Sequence, residues 1–362
     1  LNAELKVLRA LVYLWLIDSF GNVPIIEETT TGGNPTNNTR AEVFAFIESS
    51  IKDNIDLLPK QNTKTTVNYY SAQAMLAKLY LNAEIYTGTQ RWADAEAAAN
   101  EVINSGVFSL SANFFTNFSE RNNGSTENIL TLPYDQNNAQ GFNLPQMTLH
   151  YLSQNTFNLQ EQPWNGYASL EEFYNNFDDE DVRKNSFLVG PQFASDGSRL
   201  NDISAEPNDP DGQPLTFTPK INMLAPSAFR QAGARVGKFE FASGAGSSLN
   251  NDYPLIRLGD IILIKGEAAF RQGKNVEALA AVNQIRTRAG MPAYSSLTLD
   301  IIFEERGFEM FAEASRRTDM IRFGKWNQPW WEKNQSEPFR ALFPVPQNQI
   351  NANPALKQNP GY

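Results

Sequence analysis

Asp178-Asp179-Glu180-Asp181 sets four acids in a row. Paired carboxylates hydrolyse glycosides when they face each other across a sugar at a fixed separation and in opposed environments. Adjacent acids at the end of a short helix do neither, so the run predicts a solvated cap or turn. Calcium takes six to eight oxygens, and this run or Asp209-Pro210-Asp211-Gly212 could supply some of them. Neither is a full loop motif, and no metal ligand is assigned. The single histidine, His150, sits between Leu149 and Tyr151 with no serine or cysteine partner motif, and reads as a hydrogen-bonded structural residue. There is no cysteine, hence no thiolate metal site and no thiol nucleophile. Gly244-Ala245-Gly246 lacks the third glycine of a dinucleotide fingerprint, and no Gly-x-x-x-x-Gly-Lys run occurs. No cofactor and no catalysis are expected.

A different chemistry is concentrated in Tyr134-Asp135-Gln136-Asn137-Asn138, Phe142-Asn143, His150-Tyr151 and Gln162-Pro163-Trp164-Asn165-Gly166-Tyr167. A pyranose packs its polarised C–H face on an aromatic ring and exchanges hydrogen bonds with amides through its hydroxyls. The expected carbohydrate contacts are Trp164, Asn165, Tyr167, Gln162, Tyr151, Tyr134 and Phe142. Trp164 leads because Pro163 stiffens its approach and Gly166 permits a tight turn. Trp326, Trp330 and Trp331 form a second aromatic group.

The composition suits that reading. The chain has 362 residues, of which 41% are hydrophobic, 12% aromatic and only 19% charged. A net charge of −10 without a basic stretch argues against nucleic acid, whose phosphates need clustered Lys and Arg. The apolar run Ala10 to Ile17 is far short of the roughly 18 residues of a membrane span.

These residues must be carried by something. Leu5, Leu8, Val12, Trp15 and Leu16 share a helical face that ends at Gly21-Asn22-Val23-Pro24. A polar loop from Thr29 to Thr39 precedes a second helix with Val43, Phe44, Ile47, Ile51, Ile55 and Leu58 as its apolar set. Further helices are expected at about 67–86, 91–105, 169–177 and 299–323. Ala83-Glu84 with Trp92-Ala93-Asp94-Ala95, and Glu267-Ala268-Ala269-Phe270 with Asn275-Val276-Glu277-Ala278, look like tetratricopeptide hairpins, in which small residues let paired helices approach. From Phe108 to Asp252 helical periodicity fades and Gly, Asn, Asp and Pro become dense. Short strands are expected there at 128–132, 215–218 and 238–241, with a turn at 209–212. The fold class is mostly α: helical parts at 1–107 and 253–362 supporting a loop-rich insert at 108–252 that carries the ligand site. Arg9, Arg257, Arg286, Glu267, Glu305, Arg306, Glu309, Arg317 and Asp319 lie in otherwise apolar helices and predict buried or half-buried ion pairs.

Several ordered segments resemble signatures of the SusD/RagB family of outer-membrane nutrient-binding lipoproteins. They are Glu4-Leu5-Lys6-Val7-Leu8-Arg9-Ala10, Phe20-Gly21-Asn22-Val23-Pro24-Ile25, Tyr253-Pro254-Leu255-Ile256-Arg257-Leu258-Gly259-Asp260, Asn283-Gln284-Ile285-Arg286-Thr287-Arg288-Ala289-Gly290, Arg316-Arg317-Thr318-Asp319-Met320-Ile321-Arg322, Phe343-Pro344-Val345-Pro346 and Gln358-Asn359-Pro360-Gly361-Tyr362. The resemblance implies a non-catalytic protein at the cell-surface face of the outer membrane. It implies capture of an oligosaccharide or polysaccharide and delivery to a TonB-dependent transporter. It also implies an N-terminal lipid anchor and first helices preceding Leu1, outside this sequence. Peptide capture within the same family and a tetratricopeptide scaffold for protein partners are the alternatives.

Overall fold

The structure is a computed structural model and describes residues 1–27, 33–204, 213–224 and 227–362. It is mostly helical, with 43% helix against 8% strand, as the periodicity predicts. The chain forms two compact units: Leu1–Ser109 with Ile256–Ile285 and Tyr294–Tyr362, and Leu110–Leu255 with Arg286–Ala293. The expected turn at 209–212 and residues 29–32 of the first loop lie outside the described residues.

The first unit is a stack of helices. Helix Asn2–Phe20 buries Val7, Ala10, Leu11, Leu14 and Ile17, whereas Leu5, Leu8, Val12 and Trp15 are exposed. The face expected to point inward therefore points out. Both stripes recur at helical spacing, and the inner one carries Ala10, which lets the neighbouring helix approach. That neighbour, Arg40–Lys52, opens with a capping box: the Thr39 side chain accepts from Glu42 N at 3.3 Å, and Thr39 N donates back to Glu42 Oε2 at 2.7 Å. It buries Val43, Phe44, Ile47 and Ile51 as expected.

The helix expected at 67–86 divides into Tyr69–Leu81 and Ala83–Thr87 at Asn82. The Asn82 amide donates to Lys78 O at 2.9 Å, and its carbonyl oxygen accepts from Arg322 Nη1 at 2.8 Å. Trp92–Ile103 packs against both Tyr69–Leu81 and Leu258–Arg271 through alanines, with Ala72, Ala77, Ala95, Ala99, Ala268 and Ala269 at 0% exposure. Gly266 extends the same logic to the later hairpin. A Cβ there would lie 2.9 Å from Val282 Cγ2, so only glycine allows this approach.

The helix expected at 299–323 is interrupted: Leu299–Glu309 and Arg316–Arg322 are separated by a turn in which Ala312 and Ala314 adopt φ of 59° and 57°. The interruption carries Glu313 to Arg257, which donates from Nη2 to Glu313 Oε1 at 2.7 Å and from Nη1 to Glu309 Oε1 at 2.7 Å. Nearby, Arg306 bridges Asp260 and Asp319 at 3.0 Å each, and Arg322 bridges Glu267 and Asp319 at 2.7 and 2.6 Å. Lys78 completes the set on Asp260. These cations hold the Asp260 and Glu267 carboxyls well below the usual range against the opposing effect of burial. Desolvation of these buried groups offsets much of their mutual attraction, so the network adds little net stability.

The second unit has little regular structure. Strand Asn128–Leu132 forms as expected, and Thr216–Phe217 pairs antiparallel with Gly190–Pro191. The strand expected at 238–241 does not form; the pairing lies upstream, Phe187–Leu188 with Arg235–Val236. The apolar content of 239–241 goes to ring packing instead. Phe239 stands edge-on to Phe118 at 5.3 Å and to Phe142 at 4.9 Å. The helix expected at 169–177 is a short Glu171–Asn175.

Candidate functional site

The segment from Gln162 to Tyr167 is fastened by its own backbone. Trp164 N donates to Gln146 O at 2.6 Å, Asn165 N to Leu149 O at 3.0 Å, and Gly166 N and Tyr167 N both to Met147 O, at 2.8 and 2.6 Å. Asn165 takes the left-handed conformation with φ of 57°, which asparagine tolerates better than other non-glycine residues. Gly166 is required for a different reason: a Cβ there would meet Met147 O at 2.8 Å. The Tyr167 carbonyl accepts from Thr148 Oγ1 at 2.9 Å, and the same hydroxyl accepts from Val236 N at 2.8 Å.

The tight turn throws two rings outward. Pro163 is buried, while Trp164 is 55% exposed and Tyr167 60% exposed. Both rings stay in water although the backbone that carries them is tied at four points.

Gln162 and Tyr151 line an open pocket of about 400 Å³ together with Leu152, Asn201, Asp202, Ile203, Ser204 and Arg230. Buried His150 holds two of these lining residues, Leu152 and Asp202. Its Nδ1 accepts from Leu152 N at 3.1 Å, which leaves Nε2 to donate to Asp202 Oδ2 at 3.1 Å. Burial pushes the imidazole down to about 4, opposed by Asp202, so it is neutral at pH 7. Asp202 Oδ1 accepts from Ser204 N at 3.2 Å, and Arg230 Nε lies 3.0 Å from Oδ2. The Arg230 guanidinium also lies over the Tyr151 ring, 4.8 Å from its centroid. Asn165 joins this pocket to the turn, donating from Nδ2 to the Arg230 carbonyl at 2.9 Å.

Of the seven residues picked out in the sequence, five thus belong to one neighbourhood: Tyr151 and Gln162 in the pocket, and Trp164, Asn165 and Tyr167 in the adjoining turn. Tyr134 and Phe142 lie elsewhere. Phe142 is 7% exposed, stacked on Tyr134 at 5.4 Å and flanked edge-on by Phe239 and Tyr253 at 4.9 and 5.8 Å. A ring enclosed on this many sides has no face for a sugar, so Phe142 is a core residue, and half-buried Tyr134 spends a face on covering it. Asp202, Arg230, Asn201 and Ser204 were not picked out, and no local pattern marks them: they reach the pocket from segments some 40 to 80 residues from Tyr151 and Gln162 in sequence.

The acidic run is structural. Asp181 holds Arg183 through Oδ2 at 2.7 Å and Oδ1 at 2.9 Å, both side chains being buried, and Asp179 pairs with Lys184 at 2.7 Å. Among the described residues no three histidine or acidic side chains converge as metal ligands, and no helix is long and apolar enough to cross a membrane. Trp326 and Trp330 sit 6.0 Å apart, with Trp326 Nε1 donating to Arg340 O at 3.0 Å.

Known proteins with this architecture carry related sequence throughout. Residues 1–81 match the family described as starch-binding, associating with the outer membrane. The starch-binding protein SusD of Bacteroides thetaiotaomicron is 25% identical across all of this chain and 72% of its own length. SusD-like protein P38 of Formosa agariphila is 23% identical across 99% of this chain and 73% of its own. Among solved structures, a SusD superfamily protein from Parabacteroides distasonis superposes with a TM-score of 0.81 at 20% identity, covering 99% of this chain and 78% of that one. Surface glycan-binding protein A of Bacteroides thetaiotaomicron, in complex with laminarihexaose, does so with 0.77 at 22% identity, covering 99% and 77%. Residues 115–362, well over half of the sequence, match the SusD family model, and the chain belongs to the SusD family.

Proposed function

We propose that this protein binds an oligosaccharide or polysaccharide without cleaving it, at the Trp164–Tyr167 turn and the adjoining pocket. The supporting observation is the pair of exposed rings, Trp164 and Tyr167, on a turn tied by four backbone hydrogen bonds. Fixed rings offer stacking faces without an ordering cost on binding. Gln162, Asn201 and Ser204 supply polar groups for sugar hydroxyls. Starch binding by one relative and the laminarihexaose complex of a structural neighbour agree with this chemistry. The binder sits at the cell-surface face of the outer membrane, lipid-anchored in its full-length form, and hands its ligand to a TonB-dependent transporter.

Isothermal titration against maltohexaose, laminarihexaose and acidic oligosaccharides, repeated with the Trp164→Ala, Tyr167→Ala double variant, tests the reading. Saturable binding lost in that variant is expected. Binding that survives in full would move the site away from this turn. Incubation with the bound glycan should release no reducing ends, since the acids of the 178–181 run are spread between solvent and the Arg183 ion pair.

A further inference from the structure

The charge around the pocket does not balance. Arg230 shares the carboxylate of Asp202, whose other contacts are the neutral His150 and a backbone N–H. A second arginine, Arg235, is 2% exposed and donates from Nη2 to the Arg230 backbone carbonyl at 2.8 Å, and both guanidiniums act on the His150 imidazole. Arg235 also lies 5.3 Å from the Phe217 ring centroid and interacts with Tyr151, and among the described residues its buried Nε has no hydrogen-bond partner. No carboxylate among the described residues pairs with it. Arg257, Arg306 and Arg322 of the first unit meet acids, whereas Arg235 is tied to the backbone of the segment that carries Arg230. An unpaired buried cation is costly, and burial has pushed the Arg235 guanidinium down to about 10. Two neighbouring polar groups are also unsatisfied: the Gln146 side-chain amide and Asn165 Oδ1, both buried without partners.

Arg230 is the member of this pair that a ligand can reach. Its Nη1 donates to Ser204 O at 2.9 Å, its Nε faces Asp202, and its flat face covers Tyr151. Nη2 has no hydrogen-bond partner among the described residues, and the side chain lines the pocket. A guanidinium held at one edge and free at another is arranged to meet a carboxylate. Among the described residues, the two guanidiniums and the one carboxylate they surround leave this lining positive in a chain whose net charge is −10. Focusing of this kind favours an anionic ligand at one place on an otherwise repelling surface.

We propose that the pocket selects a saccharide bearing a carboxylate, such as a uronic acid residue of an acidic polysaccharide, with Arg230 as the contacting cation and Arg235 as the buried charge behind it. This rests on the reading of the Trp164 turn as a glycan site and names its ligand class.

Titration of the protein with oligogalacturonate, oligomannuronate, maltohexaose and laminarihexaose tests it at low and high ionic strength. At least one acidic oligomer should bind more tightly than both neutral ones and weaken as salt is raised. Arg230→Gln should weaken that complex by about 10- to 100-fold, as for loss of a charge-assisted hydrogen bond, and Arg230→Lys by less. Arg235→Met should weaken it too, and should not lower the melting temperature, since it removes an uncompensated buried charge. Binding confined to the neutral oligomers, or acidic binding indifferent to salt and to Arg230→Gln, overturns the charge selection and leaves the glycan site standing. Absence of binding by all four overturns both.

Discussion

Asn165 donates its side-chain N–H to the Arg230 carbonyl at 2.9 Å, so one residue both turns the backbone beneath Trp164 and anchors the segment that carries the pocket's arginine. Replacing it should uncouple the two. Asn165→Ala loses the hydrogen bond and strains a left-handed backbone, at a combined cost of about 1–3 kcal/mol. Asn165→Gly should recover the backbone part alone, and urea unfolding of the two variants separates the contributions. Equal stabilities would mean that the left-handed conformation carries no strain.

Trp164→Ala should weaken glycan binding by about 5- to 150-fold, corresponding to the ~1–3 kcal/mol expected for a large aromatic contact. Its melting temperature should barely change, because the ring is more than half exposed. Calorimetric titration and thermal unfolding on the same sample decide the point. A collapse in melting temperature with affinity intact would make Trp164 a structural anchor.

Arg257→Ala should destabilise the first unit by roughly 3–5 kcal/mol, because it removes the guanidinium that pairs with the buried carboxylates of Glu309 and Glu313. Arg317→Ala should cost much less. That arginine and its partner Asp18 are each nearly one-fifth exposed, and water can replace what is lost. Denaturant midpoints for the pair should differ clearly, and a similar loss in both would contradict the burial argument.

His150 predicts a pH dependence of definite sign. Its folded value, about 4, lies below the ordinary 6.5, so between these the unfolded chain binds the proton and the folded one does not. Stability from this group is complete above pH 6.5 and declines as pH falls to about 4, by on the order of 3 kcal/mol at the limit. The buried carboxyls Asp260 and Glu267 are also depressed, and their contribution is lost as pH falls through the ordinary carboxylate range, from about pH 5 downward. Unfolding free energies should therefore fall between pH 7 and 5.5 in the parent and stay nearly level over that interval in His150→Gln.

Local pattern alone identified most helices, since each announces itself within a few turns through its periodicity. The spacing of Val43, Phe44, Ile47 and Ile51 marks one helix, and the face it defines is the buried one. The exposed Trp164 was legible for the same reason, as proline, asparagine and glycine around a ring dictate a turn that a helix core cannot use. Periodicity could not choose between two apolar stripes on the first helix, because the choice depends on a neighbour's shape and not on the stripe itself. Nor could it foresee the turn between Glu309 and Arg316, which forms where Glu313 meets a guanidinium 56 residues away in sequence. The pocket is the extreme case. Tyr151, Gln162, Asp202 and Arg230 converge only after the irregular second unit has folded, and Phe142 is withdrawn from the site by the same packing, which encloses its ring among three others. Short-range chemistry is written in neighbouring residues, whereas the pairing of charges and rings across tens of residues follows from which surfaces the chain brings together.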